Sequence, residues 1–132
     1  MPIHKKTLNG MSFSHQNVFH LLNKIPDITA LLANGNKTTH VLGLSETRSY
    51  ENSPAPDNLF YIQDYGIPYR RNINHSFHTG LAVYVHKSVS HAIERRPDLE
   101  SKYIESLWLE IKQNHKAPRL VAYIYRKRKP CI

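Results

Sequence analysis

The spacing of apolar residues divides the chain into one helical region and several strands. Residues 11–17 alternate enough to predict a strand, with Met11 and Phe13 on one face. Over residues 18–32 the apolar positions change to helical spacing and form a single stripe, which Pro26 interrupts. Because proline is well tolerated in the first turn of a helix, either a helix begins afresh at Pro26 or a short turn precedes it.

Farther along the chain, most segments are predicted to be strands. The run "HVLGLSE" is a short apolar stretch bounded by turn signals, which is typical of a buried strand. The segments "TGLAVYVHKSV", "IESLWLEIK" and "RLVAYIYR" have strand composition or alternation, and turn-rich segments such as "TRSYENSPAPDN" and "QNHKAP" separate them. This order of strand, helix and then mainly strands predicts an α/β layered fold with a mixed β-sheet and one main helix.

The composition is that of a small folded protein with an excess of positive charge. At 132 residues, 40% of them hydrophobic, the chain forms one globular domain at most. Lys and Arg number 18 against 10 Asp and Glu, which gives a formal charge of +8. Such a charge favours polyanionic partners, nucleic acid before anionic membrane. A basic protein with no such partner is the alternative, and charge alone does not decide between them.

Several protein classes are excluded. No segment approaches the roughly 18 apolar residues that cross a bilayer, and no apolar stretch follows the basic N-terminus. We therefore expect a protein that is neither membrane-bound nor secreted, with an intracellular location in the nucleus or cytoplasm. The single cysteine, Cys131, excludes an internal disulfide framework and a zinc site with four cysteine ligands.

Two polar residues at the ends of predicted strands are candidates for a metal site. Glu46 ends the "VLGLSE" strand, and Asn17 ends the predicted strand before it. Ligands of open α/β sheets gather at the carboxyl ends of strands, so both side chains would emerge together if these strands are neighbours. A carboxylate and an amide oxygen suit Mg²⁺, which takes few protein ligands and keeps several waters. The alternative is a glutamate that is merely solvated at a sheet edge.

Five segments, in order, resemble one protein family. "SFSHQNVFHLLNKIPDITALL" and "HVLGLSETR" are similar to the opening of the endonuclease/exonuclease/phosphatase (DNase-I-like) superfamily, where one strand ends in Asn and the next in "SET" or "TET". "GIPYRRNINHSFHTGLAVYVHKSV", "IESLWLEIK" and "RLVAYIYRKRKP" resemble its arginine-rich segment and two later strands. The similarity covers roughly residues 11–130 and is closest to the endonuclease domain of non-LTR (LINE-type) retrotransposons.

The resemblance implies a fold, an activity and partners. The fold would be the N-terminal half of a DNase-I-like four-layer α/β sandwich, with residues 1–10 as a lead-in and residues 11–130 as a partial domain truncated before its second half. The complete domain would be a Mg²⁺-dependent DNA endonuclease that hydrolyses a phosphodiester by metal-assisted in-line attack. DNA would be the partner, and a reverse transcriptase domain would follow in the full-length protein.

The resemblance also implies roles for three residues. Glu46 would hold the catalytic Mg²⁺, and Asn17 beside it would help to orient ligands or phosphate. Tyr125 would point its hydroxyl into the phosphate site, where it can donate to an oxyanion. Without the family, Tyr125 would be taken as an ordinary aromatic residue of a strand.

The chain departs from the family pattern in ways that bear on activity. The "GDFN" and "SDH" strings, which supply the groups that complete the site, are absent. His78 stands in place of a usual glycine, and "YRKRKP" replaces the family's "YRPP". We therefore expect this chain alone to be inactive, with an exposed apolar inner sheet face that promotes association. A catalytically inactive remnant that only binds nucleic acid, and a phosphatase or exonuclease of the same superfamily, are the alternatives.

Basic residues next to tyrosines are candidates for contact with a nucleic-acid backbone. Arg70 and Arg71 lie near two tyrosines in the sequence, a mixture of guanidinium and aromatic groups that backbone-binding surfaces often have. Arg126, Lys127 and Arg128 form a second group directly after Tyr125. The alternative for this second group is a solvated, frayed tail.

Overall fold

The computed structural model describes residues 4–8, 10–49, 56–73 and 79–126, which form one α-helix and eight strands. The elements are β1 (His4–Leu8), β2 (Met11–Asn17), α1 (Leu21–Ala33), β3 (Val41–Ser45), β4 (Tyr69–Arg71), β5 (Leu81–Val85), β6 (Ile93–Arg95), β7 (Glu105–Ile111) and β8 (Arg119–Tyr125). Within these ranges no helix is long and apolar enough to cross a membrane.

Five strands form a mixed sheet in the order β1-β2-β3-β5-β4. Strands β2 and β3 are parallel neighbours, and α1 is the crossover between them, as a parallel pair requires. The other pairs of this sheet are antiparallel. The predicted mixed sheet with one main helix is therefore confirmed. Strand β1 lies within the predicted lead-in of residues 1–10 and pairs with β2. The chain turns from β1 into β2 at Gly10, whose φ of 82° favours glycine.

A second sheet, antiparallel and in the order β6-β7-β8, packs against one face of the first. The core between the sheets contains apolar side chains from both: Met11, Phe13, Val41, Leu81, Val83, Val85, Ile93, Leu107, Leu109, Ile111 and Tyr123. The expectation of an exposed inner sheet face is wrong, because the chain itself supplies strands that cover it. Exposed apolar side chains lie instead on β8, where Leu120 and Ile124 are half exposed or more.

Helix α1 covers the opposite face of the five-stranded sheet, so the described residues form three layers. Leu21 and Ile28 of the helix pack in a cluster with Leu42 and Leu44 of β3. The helix runs without a break through Pro26, so both alternatives for that residue, a fresh start and a preceding turn, are wrong. His20 caps its beginning, since the Nδ1 atom accepts the backbone N–H of Asn23 at 3.3 Å.

The ring of Tyr123 in β8 packs against the backbone of β3 at Gly43. A Cβ atom at Gly43 would lie 2.2 Å from the ring of Tyr123, so only glycine leaves room for this ring. The Tyr123 hydroxyl donates to the carbonyl of Ser14 at 3.1 Å. This contact fixes β8 relative to β2 and β3, whose ends carry the candidate metal ligands.

Candidate functional site

Asn17 and Glu46 emerge at the same edge of the five-stranded sheet. Asn17 is the last residue of β2 and pairs with Ser45, the last residue of the parallel strand β3, while Glu46 follows directly. The condition set by the sequence, that these two strands be neighbours, is therefore met. Asn17 is exposed, and its Oδ1 atom accepts the backbone N–H of Phe19 at 3.2 Å.

Tyr125 reaches this edge from the second sheet. It is the last residue of β8, and its hydroxyl donates to Oε1 of Glu46 at 2.9 Å. The other carboxylate oxygen of Glu46, Oε2, is buried and has no hydrogen-bond partner in the described part of the chain. A buried carboxylate oxygen without a partner is unfavourable, so this atom is ready to accept a donor or a cation.

The chemistry of Tyr125 is set by its surroundings. Burial first, and then the hydrogen bond to Glu46 and the charges of Glu46 and Glu105, raise the pKa of Tyr125 to about 12. The phenol therefore keeps its proton throughout the physiological range. It acts at this site as a hydrogen-bond donor and not as a base.

The donor set at this edge suits a cation that keeps most of its water. Among the described residues, no group of three or more His, Cys, Asp or Glu side chains is arranged to hold a metal. The unpartnered Oε2 of Glu46, with Asn17 at the end of the adjacent strand, would supply the one or two protein ligands that a Mg²⁺ ion needs.

The turn that carries Glu46 has an unusual backbone conformation. Glu46 and Arg48 have φ angles of 56° and 58°, in the left-handed region that side-chain-bearing residues seldom adopt. Two backbone hydrogen bonds fix the turn on the neighbouring segment. The Thr47 N–H donates to the Gly80 carbonyl at 3.2 Å, and the Arg48 N–H donates to the Thr79 carbonyl at 2.9 Å. The contacts with residues 79–80 fix the backbone of the turn from which the Glu46 side chain extends.

A buried carboxylate in this region was not among the predicted site residues. Glu105, the first residue of β7, is 3% exposed and pairs in register with Tyr125. Burial raises the pKa of Glu105, although it accepts the backbone N–H groups of Gly80 and Ile73. The alternation of "IESLWLEIK" could have identified Glu105 as a buried acid, because Glu105 shares its face of the strand with Leu107, Leu109 and Ile111.

The buried and bridging arginines do not form the predicted nucleic-acid surface. Arg70 is 6% exposed, and its guanidinium donates to Ser49 and Asp57, each at 3.1 Å, above the ring of Phe60. These contacts leave Arg70 no open surface for a phosphate, so we withdraw it from the candidate interface.

Arg71 also makes its hydrogen bonds within the fold, between the two sheets. Its guanidinium donates to the backbone carbonyls of Ser101, Ile104 and Ser106 at 2.6 to 2.9 Å. It therefore joins β4 to the segment around the start of β7, and we withdraw it as well.

Two arginines beside the site are exposed. Arg126 directly follows Tyr125 in the chain, and Arg48 lies two residues after Glu46. Arg126 also lines a cavity of about 510 Å³ that adjoins Tyr125 and Glu105. Lys127, Arg128 and His78 lie outside the described residues. The structure therefore leaves Arg126 and adds Arg48 as candidates for phosphate contact.

Similarity to known proteins adds no residue to this set. No protein-family model, no curated protein and no solved structure matches the chain. The candidate site is defined by the chain's own residues: Glu46 with Tyr125 in contact, and Asn17 at the end of the neighbouring strand.

Proposed function

We propose that this chain carries the metal-binding part of a Mg²⁺-dependent phosphodiesterase of the DNase-I-like kind, a DNA endonuclease of the retrotransposon type. The observation that supports this most directly is the asymmetry of the Glu46 carboxylate. Oε1 is held by Tyr125 at 2.9 Å, whereas the buried Oε2 has no partner among the described residues. A carboxylate fixed by one oxygen and unpartnered at the other is suited to hold a cation in one defined direction.

Each residue of the site would contribute a separate function. A bound Mg²⁺ ion supplies charge neutralisation and polarises a phosphoryl oxygen. Glu46 Oε2 is the anionic ligand, and Asn17, at the end of the adjacent strand, offers an amide to the ion's water shell or to a phosphate. Tyr125 keeps the carboxylate oriented and holds its own proton, because its pKa is raised to about 12.

The proposed activity of this chain is limited by the residues it contains. The sequence has neither the "GDFN" nor the "SDH" string that would provide groups for the attacking and leaving oxygens. Without a positioned acid or base, the roughly 10²–10⁴-fold contribution of general acid–base catalysis is lost. We therefore expect Mg²⁺ binding without efficient turnover.

Metal binding is the first test of this proposal. Paramagnetic broadening of amide signals by Mn²⁺, reversed by competition with Mg²⁺, is expected to centre on Asn17, Glu46 and Thr47. Glu46→Gln is expected to abolish it, because the amide nitrogen or neutral oxygen replaces the anionic ligand. Glu94→Gln is the matched control, since that exposed carboxylate pairs with Lys112 at 2.9 Å in the other sheet. Broadening that is absent, or unchanged in Glu46→Gln, contradicts the proposal.

Plasmid nicking is the second test. We expect no Mg²⁺-dependent nicking above background by the purified chain. Nicking by the wild-type chain that Glu46→Ala abolishes would support the metal site but contradict the expected lack of turnover. Other residues of the chain would then have to supply the acid and the base.

A second candidate function is nucleic-acid binding without catalysis. The exposed Arg48 and Arg126 flank the Glu46–Tyr125 contact, and the chain as a whole carries a formal charge of +8. Such a surface would bind phosphates without the need for a metal. DNA binding by Glu46→Gln at wild-type affinity would favour this function over the first.

A further inference from the structure

Glu105 is a buried carboxylate that the proposed metal chemistry does not use. Its Oε1 atom accepts the backbone N–H of Ile73 at 3.1 Å, and its Oε2 atom accepts the backbone N–H of Gly80 at 3.2 Å. Removing a carboxylate from water costs free energy, and hydrogen bonds from backbone amides have to replace the lost hydrogen bonds to water. Each of these bonds therefore also fixes the backbone segment that supplies the amide.

The bond to Gly80 leads directly to the turn that carries Glu46. The N–H of Gly80 and the carbonyl of Thr79 belong to one peptide group. Glu105 fixes the N–H of that group, and its carbonyl accepts the N–H of Arg48 at 2.9 Å. The next carbonyl, that of Gly80, accepts the N–H of Thr47 at 3.2 Å. A single peptide group thus links the Glu105 carboxylate to the residues after Glu46.

The turn needs such support because of its own backbone. Glu46 and Arg48 both have left-handed φ angles, which are unfavourable for residues with a side chain and persist only when surrounding contacts impose them. Gly80 allows the close contact, since a Cβ at that position would lie 2.5 Å from Oγ1 of Thr47. A side chain at residue 80 would therefore push the turn away from residues 79–80.

We propose that Glu105 is a positioning residue for the metal site, acting through the peptide group of Thr79 and Gly80 on the turn that orients Glu46. The inference rests on the proposed function. Glu105 and its cross-strand partner Tyr125 hold Glu46 from two sides, one through the backbone and the other through the carboxylate. Residues that orient a metal ligand without touching the metal typically change metal affinity by about 10–100-fold when replaced.

The test uses Glu105→Gln, which keeps the size of the side chain but replaces one acceptor oxygen with an NH₂ group that cannot accept an N–H. We expect Mg²⁺ affinity, measured by competition with Mn²⁺, to fall at least about tenfold. We also expect hydrogen exchange at the amides of Thr47 and Arg48 to accelerate more than exchange in the strands.

Glu100→Gln is the matched control for a purely structural effect. The Glu100 side chain is also 3% exposed, pairs with Arg95 at 2.7 Å and accepts the N–H of Trp108 at 3.1 Å, but it does not contact residues 79–80. This variant is expected to lower the melting temperature without a selective change at Thr47 or Arg48. Equal effects of the two variants, or no selective effect of Glu105→Gln, would overturn the inference.

Failure of the proposed function would have a different appearance. If the wild-type chain binds no Mg²⁺, the proposed function is wrong. The hydrogen-exchange rates at Thr47 and Arg48 are measured without metal, so they still report whether Glu105 fixes the turn. If Mg²⁺ binds and both amides exchange as in the wild type when Glu105 is replaced, only the positioning role is wrong.

Discussion

The hydroxyl of Tyr125 donates to the carboxylate of Glu46 across the gap between the two sheets, at 2.9 Å. The two residues are 79 positions apart in the chain, and each is at or just past the end of its strand. This bond orients the carboxylate and directs the lone pairs of its second oxygen elsewhere.

Tyr125→Phe is expected to weaken Mg²⁺ binding and to lower the free energy of unfolding by about 1 kcal/mol, because a hydrogen bond to a charged group is lost at a partly exposed site. Metal competition and urea unfolding measure the two effects. Tyr103→Phe is the control, since Tyr103 is 80% exposed. Wild-type metal affinity in Tyr125→Phe would contradict the role given to this hydroxyl.

The tyrosines predict a loss of stability at high pH. Burial and Asp64 raise the pKa of Tyr65 to about 12, Tyr125 has a similar value, and burial raises the pKa of Tyr84 and Tyr123 further. An unfolded tyrosine ionises near 10, so the stabilisation is complete below about pH 10 and is lost as pH rises through 12. Phenolate absorbance and circular dichroism should change together in that range. Ionisation of all eight tyrosines near pH 10 in a folded chain would contradict this.

Gly43→Ala is expected to lower the free energy of unfolding by about 1–3 kcal/mol, because the new methyl group would overlap the ring of Tyr123. Gly66→Ala is the matched control, since a Cβ there meets only the Val85 carbonyl at 3.9 Å. Urea unfolding of both variants makes the comparison. Equal stabilities would mean that β8 does not pack on β3 as described.

Binding to DNA should depend on salt and on the two exposed arginines. Arg48→Gln and Arg126→Gln are each expected to weaken binding and to reduce the slope of log K against log salt by about 1, as the loss of one phosphate contact does. Lys112→Gln is the control, because the Lys112 ammonium pairs with Glu94 at 2.9 Å, just past the end of β7 farthest from Glu105. DNA affinity that does not change with salt would exclude phosphate contact.

We expect the chain to associate with other copies through β8. The edge of β8 that faces away from β7 pairs with no other strand of the described ranges. Residues 120–125 carry no charge, and Leu120 and Ile124 are 50% and 58% exposed. The edge strand β1 contains two lysines, and the edge strands β4 and β6 have three residues each, features that discourage pairing. Ile124→Lys should reduce association in light scattering over a concentration series. A wild-type chain that is monomeric throughout would contradict this prediction.

The parts of the fold that follow from local patterns were predictable. Alternation and apolar runs located β2, β3, β5, β7 and β8 but not β1. The polar residues at the ends of β2 and β3 could be assigned to one edge because parallel strands end together. The helical region was predicted, but the expected interruption at Pro26 is absent. The missing N–H of Pro26 removes one backbone hydrogen bond, which the packing of Leu21 and Ile28 against β3 offsets.

Features that depend on distant residues were not predictable. Arg70 and Arg71 have the composition of a binding surface, but Asp57 and the carbonyls near the start of β7 hold both of them within the fold. Glu105 was visible only as an acid on an apolar face, and its amide partners are 25 and 32 positions away. Propensity carries no information on such pairings, since they are decided by tertiary packing.

The long separation in sequence between β8 and the strands it packs on affects how the protein is made. The Tyr123 hydroxyl bonds to the Ser14 carbonyl 109 positions earlier, and Tyr125 completes the contact with Glu46. During translation, the part of β2 and β3 that Tyr123 covers stays in water until β8 leaves the ribosome. We therefore expect slow folding, with a long interval in which a chaperone can bind the nascent sheet.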